Sequence, residues 1–132
     1  TQPMVGVIPA DIVMHDKPVG RGYVKLAPTA EHPWPGEPAE IRCHEFHYSS
    51  LENLPGDLHY AYTVKRGHGV DGRRDGIVVH NVLASYAHLR SAGSNAWAAR
   101  FVAFVRHADY RRRRQDNIVY LPPARGREAM VL

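Results

Sequence analysis

The chain is poor in cysteine, in long apolar runs and in glycine around its only thiol, and each shortage excludes something. A single cysteine, Cys43, cannot form an internal disulfide, so a reducing cytoplasm is the expected setting. No apolar run approaches the length of a membrane-spanning helix, and no secretory leader opens the sequence. A catalytic thiol usually stands on a sharp, glycine-flanked turn at a helix N-terminus. Cys43 stands between Arg42 and His44 with no glycine beside it, so it reads as a small, semi-buried apolar side chain. With 132 residues the chain makes one domain at most, with a modest core. The first residue is Thr1 instead of methionine, which points to an excerpt or a processed product.

Basic charge is present but unevenly placed. The net charge is +4, and four arginines stand together at Arg111 to Arg114. Such a run can touch phosphate or an anionic partner, but a solvated tail is the simpler reading. No aromatic residues interleave with it to stack bases, so nucleic acid is not the expected partner.

Strand patterns dominate the first two thirds. The apolar stretch Met4 to Met14 is broken by Pro9 and reads as strand, bend, short strand. A further strand is expected around Tyr23, Val24 and Leu26, followed by a proline-rich loop from Ala27 to Pro38. "EIRCHEFHYS" alternates, with Ile41, Cys43, Glu45 and His47 on one face and Arg42, His44, Phe46 and Tyr48 on the other. Leu58 to Arg66 reads as another strand, and the glycine-rich turn "GHGVDGRRDG" predicts antiparallel neighbours. Gly76 to Leu89 opens as a buried strand and ends on polar residues. One helix follows, with Ser94 as its N-cap and Trp97, Phe101, Phe104 and Val105 on one face. Five or six strands and one C-terminal helix result, as residues 1–108, with a basic, loose tail over 109–132. One helix covers one face of a sheet only, so part of the fold is expected elsewhere.

Histidines offer two further candidates, a metal pair and a lone base. His44 and His47 lie three apart with Glu45 between them, but alternation on a strand sends the two rings to opposite faces. The zinc motif His-Glu-x-x-His is also absent, so no metal site is expected. His88 is different: it ends a strand where a loop begins, the position at which open α/β sheets place their chemistry.

Three ordered segments carry a resemblance: "MVGVIPADIVMHDKPVGRGYVKL", "CHEFHYS" and "NVLASYAHLRSAGSNAWAARFV". Together they resemble the C-terminal part of cobyrinic acid a,c-diamide synthases, over roughly Met4 to Arg106. The siroheme amidase of sulfur-oxidising bacteria is similar to the same synthases. The resemblance implies an α/β fold, namely the C-terminal portion of a class I glutamine amidotransferase domain with a flavodoxin-like sheet. It implies a reaction in which ammonia from L-glutamine converts tetrapyrrole side-chain carboxylates to amides, as in cobalamin biosynthesis. ATP and Mg²⁺ are implied for an upstream domain of the full-length enzyme, and no cofactor for this portion. In such synthases the Ala-Ser-Tyr-x-His histidine is the base that pairs with a cysteine, and it falls on His88. Glu45, His47 and Tyr86 are the residues that can orient it or line its site. The Cys-Gly-Gly nucleophile motif occurs nowhere here, so the nucleophile is expected upstream of Thr1, and the chain alone is expected to be inactive. The reading from another class is a non-catalytic module that binds a tetrapyrrole, nucleic acid or a partner chain, supported by the histidines and the arginine run.

Overall fold

The computed structural model describes residues 2–116. Its centre is a five-stranded antiparallel sheet in the order β3-β2-β5-β6-β7. β2 (Gly20–Pro28) pairs on one side with β3 (Ile41–His47) and on the other with β5 (His59–Arg66). β6 (Arg74–Val79) and β7 (Val82–Ala84) extend the sheet beyond β5. A separate two-stranded ribbon joins β1 (Asp11–Met14) to β4 (Ser49–Glu52). The only helix among the described residues, α1, runs Trp97–Asp116. All strand pairings among the described residues are antiparallel, so the parallel strands of a flavodoxin-like sheet are not among them. What stands here is a strand-rich portion with one C-terminal helix, as expected.

β3 shows the predicted alternation in full: Ile41, Cys43, Glu45 and His47 are buried, and Arg42, His44 and Phe46 are exposed. Its apolar residues join Val24, Leu26, Ala61, Tyr62 and Ala87 in the main core. Each fully buried Val, Leu or Ile there contributes about 1.5–3 kcal/mol. A smaller cluster forms round Tyr60, Val70 and Ile77.

Four features differ from the sequence reading. No strand forms over residues 4–8, where Pro3 lacks an amide proton, Gly6 turns at φ 76° and Val5 is 93% exposed. The stretch from Gly76 to Leu89 contains a hairpin, because His80 adopts φ 51° and turns β6 into β7. The helix starts at Trp97 without Ser94 as its cap. Ser94 lies in the turn closed by Asn95 N–H donating to Ala92 C=O, and Ala96 C=O accepts from Arg100 N–H at 3.3 Å. Finally, α1 runs through position 109 to Asp116, carrying Arg111 and Arg112 on a helix. The remainder of the predicted tail, 117–132, lies outside the described residues.

The helix is tethered to the rest of the fold by its first turns. Arg100 forks onto Glu37, with Nη2 to Oε2 at 2.7 Å and Nε to Oε1 at 3.2 Å, and Trp34 Nε1 donates to the same carboxylate at 2.9 Å. Trp34 also meets Phe101 edge-on, with ring centroids 5.4 Å apart. Phe104 meets the same indole at 5.9 Å; past these ring contacts the face is open, with Phe101, Phe104 and Val105 partly exposed to a cleft of about 970 Å³ that is lined across from them by β6 and β7.

Candidate functional site

The segment Ser85–Ala87 has no ladder partner, so something other than a sheet must fix it. That something is Asp75, fully buried on β6. Its carboxylate accepts from Ser85 Oγ–H at 2.8 Å, Tyr86 N–H at 3.1 Å, Ala87 N–H at 2.9 Å and its neighbour Gly76 N–H at 2.8 Å. A buried carboxylate is stable only when its oxygens are saturated in this way. The segment it holds leads directly into His88.

His88 itself forms a bridge to the outer edge of β3. Its N–H donates to His44 C=O at 2.7 Å, and His44 N–H donates to His88 C=O at 3.4 Å. The two rings lie 6.1 Å apart, centroid to centroid. Backbone bonds therefore fix the position of an exposed imidazole. It lines a cleft of about 620 Å³ together with Tyr23, Lys25, Arg42, His44, Arg66 and Arg90. An exposed imidazole lining such a cleft can accept a proton and return it.

The structure groups Glu45, His47 and Tyr86 with one another, on the side of β3 opposite His44. Glu45 is buried and clamps a turn, accepting from His68 N–H at 2.7 Å and Gly69 N–H at 2.8 Å. Gly67 enters that turn at φ 115°, and a Cβ there would lie 3.0 Å from Glu45 Oε1 and 2.8 Å from a Val24 methyl. His47 stacks on Tyr86 with centroids 3.8 Å apart, and its Nδ1–H donates to Ser49 C=O at 2.8 Å. Its Nε2 is 3.6 Å from Glu45 Oε2, and a side chain at Gly20 would overlap that nitrogen. The Tyr86 and Ser49 hydroxyls are 2.8 Å apart. These residues tie β3, the ribbon and the segment before His88 together.

Cys43 is buried, and its thiol lies 3.7 Å from Val24 C=O, to which it donates. Burial, with the charges of Asp75 and Glu45 added, pushes the thiol up to about 12. A thiol held protonated in this way is no nucleophile at neutral pH. Among the described residues, no three His, Cys, Asp or Glu side chains gather as a metal site would require.

A profile of the CobB/CobQ-like glutamine amidotransferase domain matches residues 1–96. The chain belongs to this family. Curated relatives described as cobyrinate a,c-diamide synthase include one from Magnetococcus marinus, 48% identical over 103 residues, 78% of this chain and 22% of the relative. Another, from Halobacterium salinarum, is 39% identical over 67% of this chain and 20% of its own length. A third, from Archaeoglobus fulgidus, is 36% identical over 75% of this chain and 21% of its own length. The chain thus spans about a fifth of the length of these relatives. A solved structure from Thermoplasma acidophilum, described as a GMP synthase subunit, is similar at TM-score 0.52 with 21% identity, over 80% of this chain and 52% of that one. That likeness speaks for the fold.

In this CobB/CobQ-like domain, sequence reasoning missed Asp75. Its signal, an acidic residue before a glycine in "RRDG", read as turn chemistry, whereas the aspartate points inward from a strand. It also missed the cations that line the cleft, because they come from four separate segments.

Proposed function

We propose that this chain is the histidine-bearing part of the glutaminase of an ATP- and glutamine-dependent amidoligase. Its acceptor is a tetrapyrrole whose side-chain carboxylates become amides, as in cobyrinate a,c-diamide synthesis, with siroheme amidation as the variant chemistry. Family membership supports this reading, and so do the names of the relatives. The observation that carries it is the placement of His88: backbone-fixed, exposed, and lining an open cleft.

In this reading His88 accepts the proton of a cysteine thiol supplied by another part of the protein, since Cys43 is buried and protonated. The thiolate attacks the side-chain amide carbon of glutamine, and the imidazolium gives its proton to the departing ammonia. Water then cleaves the thioester to release glutamate, and His88 takes a proton from that water. Asp75 holds the segment before His88 in place, so the ring need not be ordered at the moment of reaction. ATP with Mg²⁺ supplies the activation of the acceptor carboxylate. ATP binds in a separate domain in this reading, since the sequence holds no Gly-x-x-x-x-Gly-Lys loop to cradle phosphates.

The test is glutamine hydrolysis by the full-length protein. His88→Ala should lower kcat by at least about 10³-fold, the loss expected when a general base is removed from a nucleophile. Hydrolysis that survives the substitution overturns the assignment.

A further inference from the structure

Tyr86 and His88 are two residues apart, and on an extended strand they would share a face. Here they lie on opposite sides of β3: Tyr86 packs against His47, whereas His88 bridges to His44 and lines the outer cleft. The chain therefore bends at Tyr86 and Ala87, and it does so outside any ladder. A bend that no ladder supports has to be held by its side chains. Asp75 accepts the N–H groups of Tyr86 and Ala87, which fixes where the bend lies. Two bonds to a single carboxylate still allow the chain to rotate about their common end, so they do not fix how far it turns.

The Tyr86 side chain removes that rotation. Its ring lies on the His47 imidazole at 3.8 Å between centroids and 15° between planes, and its hydroxyl is 2.8 Å from Ser49 Oγ. A ring held at its face and at its far end cannot swing without breaking one of the two contacts. His47 in turn has no room to retreat. Its Nδ1–H donates to Ser49 C=O at 2.8 Å, Glu45 Oε2 lies 3.6 Å from its Nε2, and a Cβ on its ladder partner Gly20 would overlap that nitrogen. Tyr86 also packs against the cluster round Tyr60, Val70 and Ile77, a role that any large apolar side chain could fill. A flat ring parallel to an imidazole, with its hydroxyl on a serine, is more than filling requires.

We infer that Tyr86 is a positioning residue for the glutaminase: clamped between His47 and Ser49, its ring sets the bend that aims His88 into the outer cleft. The inference rests on the proposed reading of His88 as the base. Ser49 opens β4, so the same clamp ties the His88 segment to the ribbon. A shift of the Tyr86 ring by about 1 Å carries His88 off line, an error of the size that lowers turnover about 10²-fold.

The experiment measures glutamine hydrolysis and urea unfolding in the full-length protein. Tyr86→Leu keeps an apolar side chain but loses the flat ring and the hydroxyl. Its kcat should fall about 10²-fold while KM for glutamine stays within about twofold. Tyr86→Phe keeps the stack and should restore kcat to within about fivefold of the starting value. His47→Leu removes the other ring and should reproduce the loss, and the double variant should be no slower than either single one, since both break one clamp. A merely structural role would lower the urea midpoint and leave kcat per folded enzyme unchanged, and that result overturns the inference. So does a Phe variant as slow as the Leu variant, or losses that multiply in the double variant. If Tyr86→Leu fails to fold, an unchanged kcat in folded His47→Leu overturns the clamp from the other side. His88→Ala is run beside them: hydrolysis that survives it overturns the base itself, whereas hydrolysis lost there and kept in Tyr86→Leu overturns the positioning role alone.

Discussion

The two sides of the sheet at β3 treat charge in opposite ways. On the inner side, the carboxylates of Glu45 and Asp75 are sealed from water and saturated with hydrogen-bond donors. On the outer side, cations from several segments face solvent with one carboxylate between them. Buried charges of the first kind act on the chain itself, because removing either partner strands the other in a low dielectric. Exposed charges of the second kind contribute little to folding and are available to whatever arrives. His88 sits where the two meet: the inner carboxylate holds the segment before it, backbone bonds to His44 anchor it, and it lines the outer cleft.

The sharpest way to break that contrast is Asp75→Asn. An amide of the same shape turns an NH₂ toward donors and leaves at least one of Ser85, Tyr86 and Ala87 without an acceptor. A loss of about 3 kcal/mol is expected in urea unfolding. A merely structural role would stop there. If Asp75 positions His88, the folded variant should also lower kcat for glutamine hydrolysis in the full-length protein while KM stays near its starting value. Glu45→Gln should follow with a smaller cost, about 2 kcal/mol, since one turn with two donors is affected. Hydrogen exchange should show faster loss of the His68 and Gly69 amide protons. Unchanged protection there would mean that the inner carboxylates are not clamps.

Cys43 tests the inner side by titration. With its thiol held up at about 12, it should resist iodoacetamide at pH ~8 in the folded protein and react on unfolding. The folded value lies above the ordinary thiol value of about 8.5, so the contribution to stability is present below that pH and is lost as pH climbs toward the folded value. Rapid modification of the folded protein would show that the inner face is open to solvent.

How much of this was legible in the sequence varied with the range of the interaction. The alternation of β3 could be read because period-two patterning is local: the sequence sets Cys43, Glu45 and His47 on one face, and the structure shows that this face is the buried one. The importance of His88 came from the resemblance and not from its surroundings, since its anchor to His44 spans distant segments. Asp75 was invisible because its partners lie 10 to 12 residues on, across a hairpin that His80 makes with a left-handed turn. The helix runs past its expected end because its arginines are good helix formers as well as charges. Its apolar stripe was read correctly as a stripe, but a stripe does not reveal what it faces, and here it lines an open cleft.

The smallest effect probes the outer side. Removing a cation that only repels its neighbours should stabilise the protein, which is unusual for a substitution. Arg66→Gln leaves Lys25 with Glu40 and takes away the charge opposite it. The gain should be ~0.3 kcal/mol at low ionic strength, within the range of one cross-strand pair. It should shrink toward nothing in ~1 M salt, where the screening length falls to about 3 Å. Paired urea curves at the two salt concentrations resolve the difference as a shift in midpoint with an unchanged slope. Equal destabilisation in both would mean that Arg66 makes a packing or hydrogen-bonding contribution to the fold, and the outer cations would then be part of the scaffold and not charges left free on an open face.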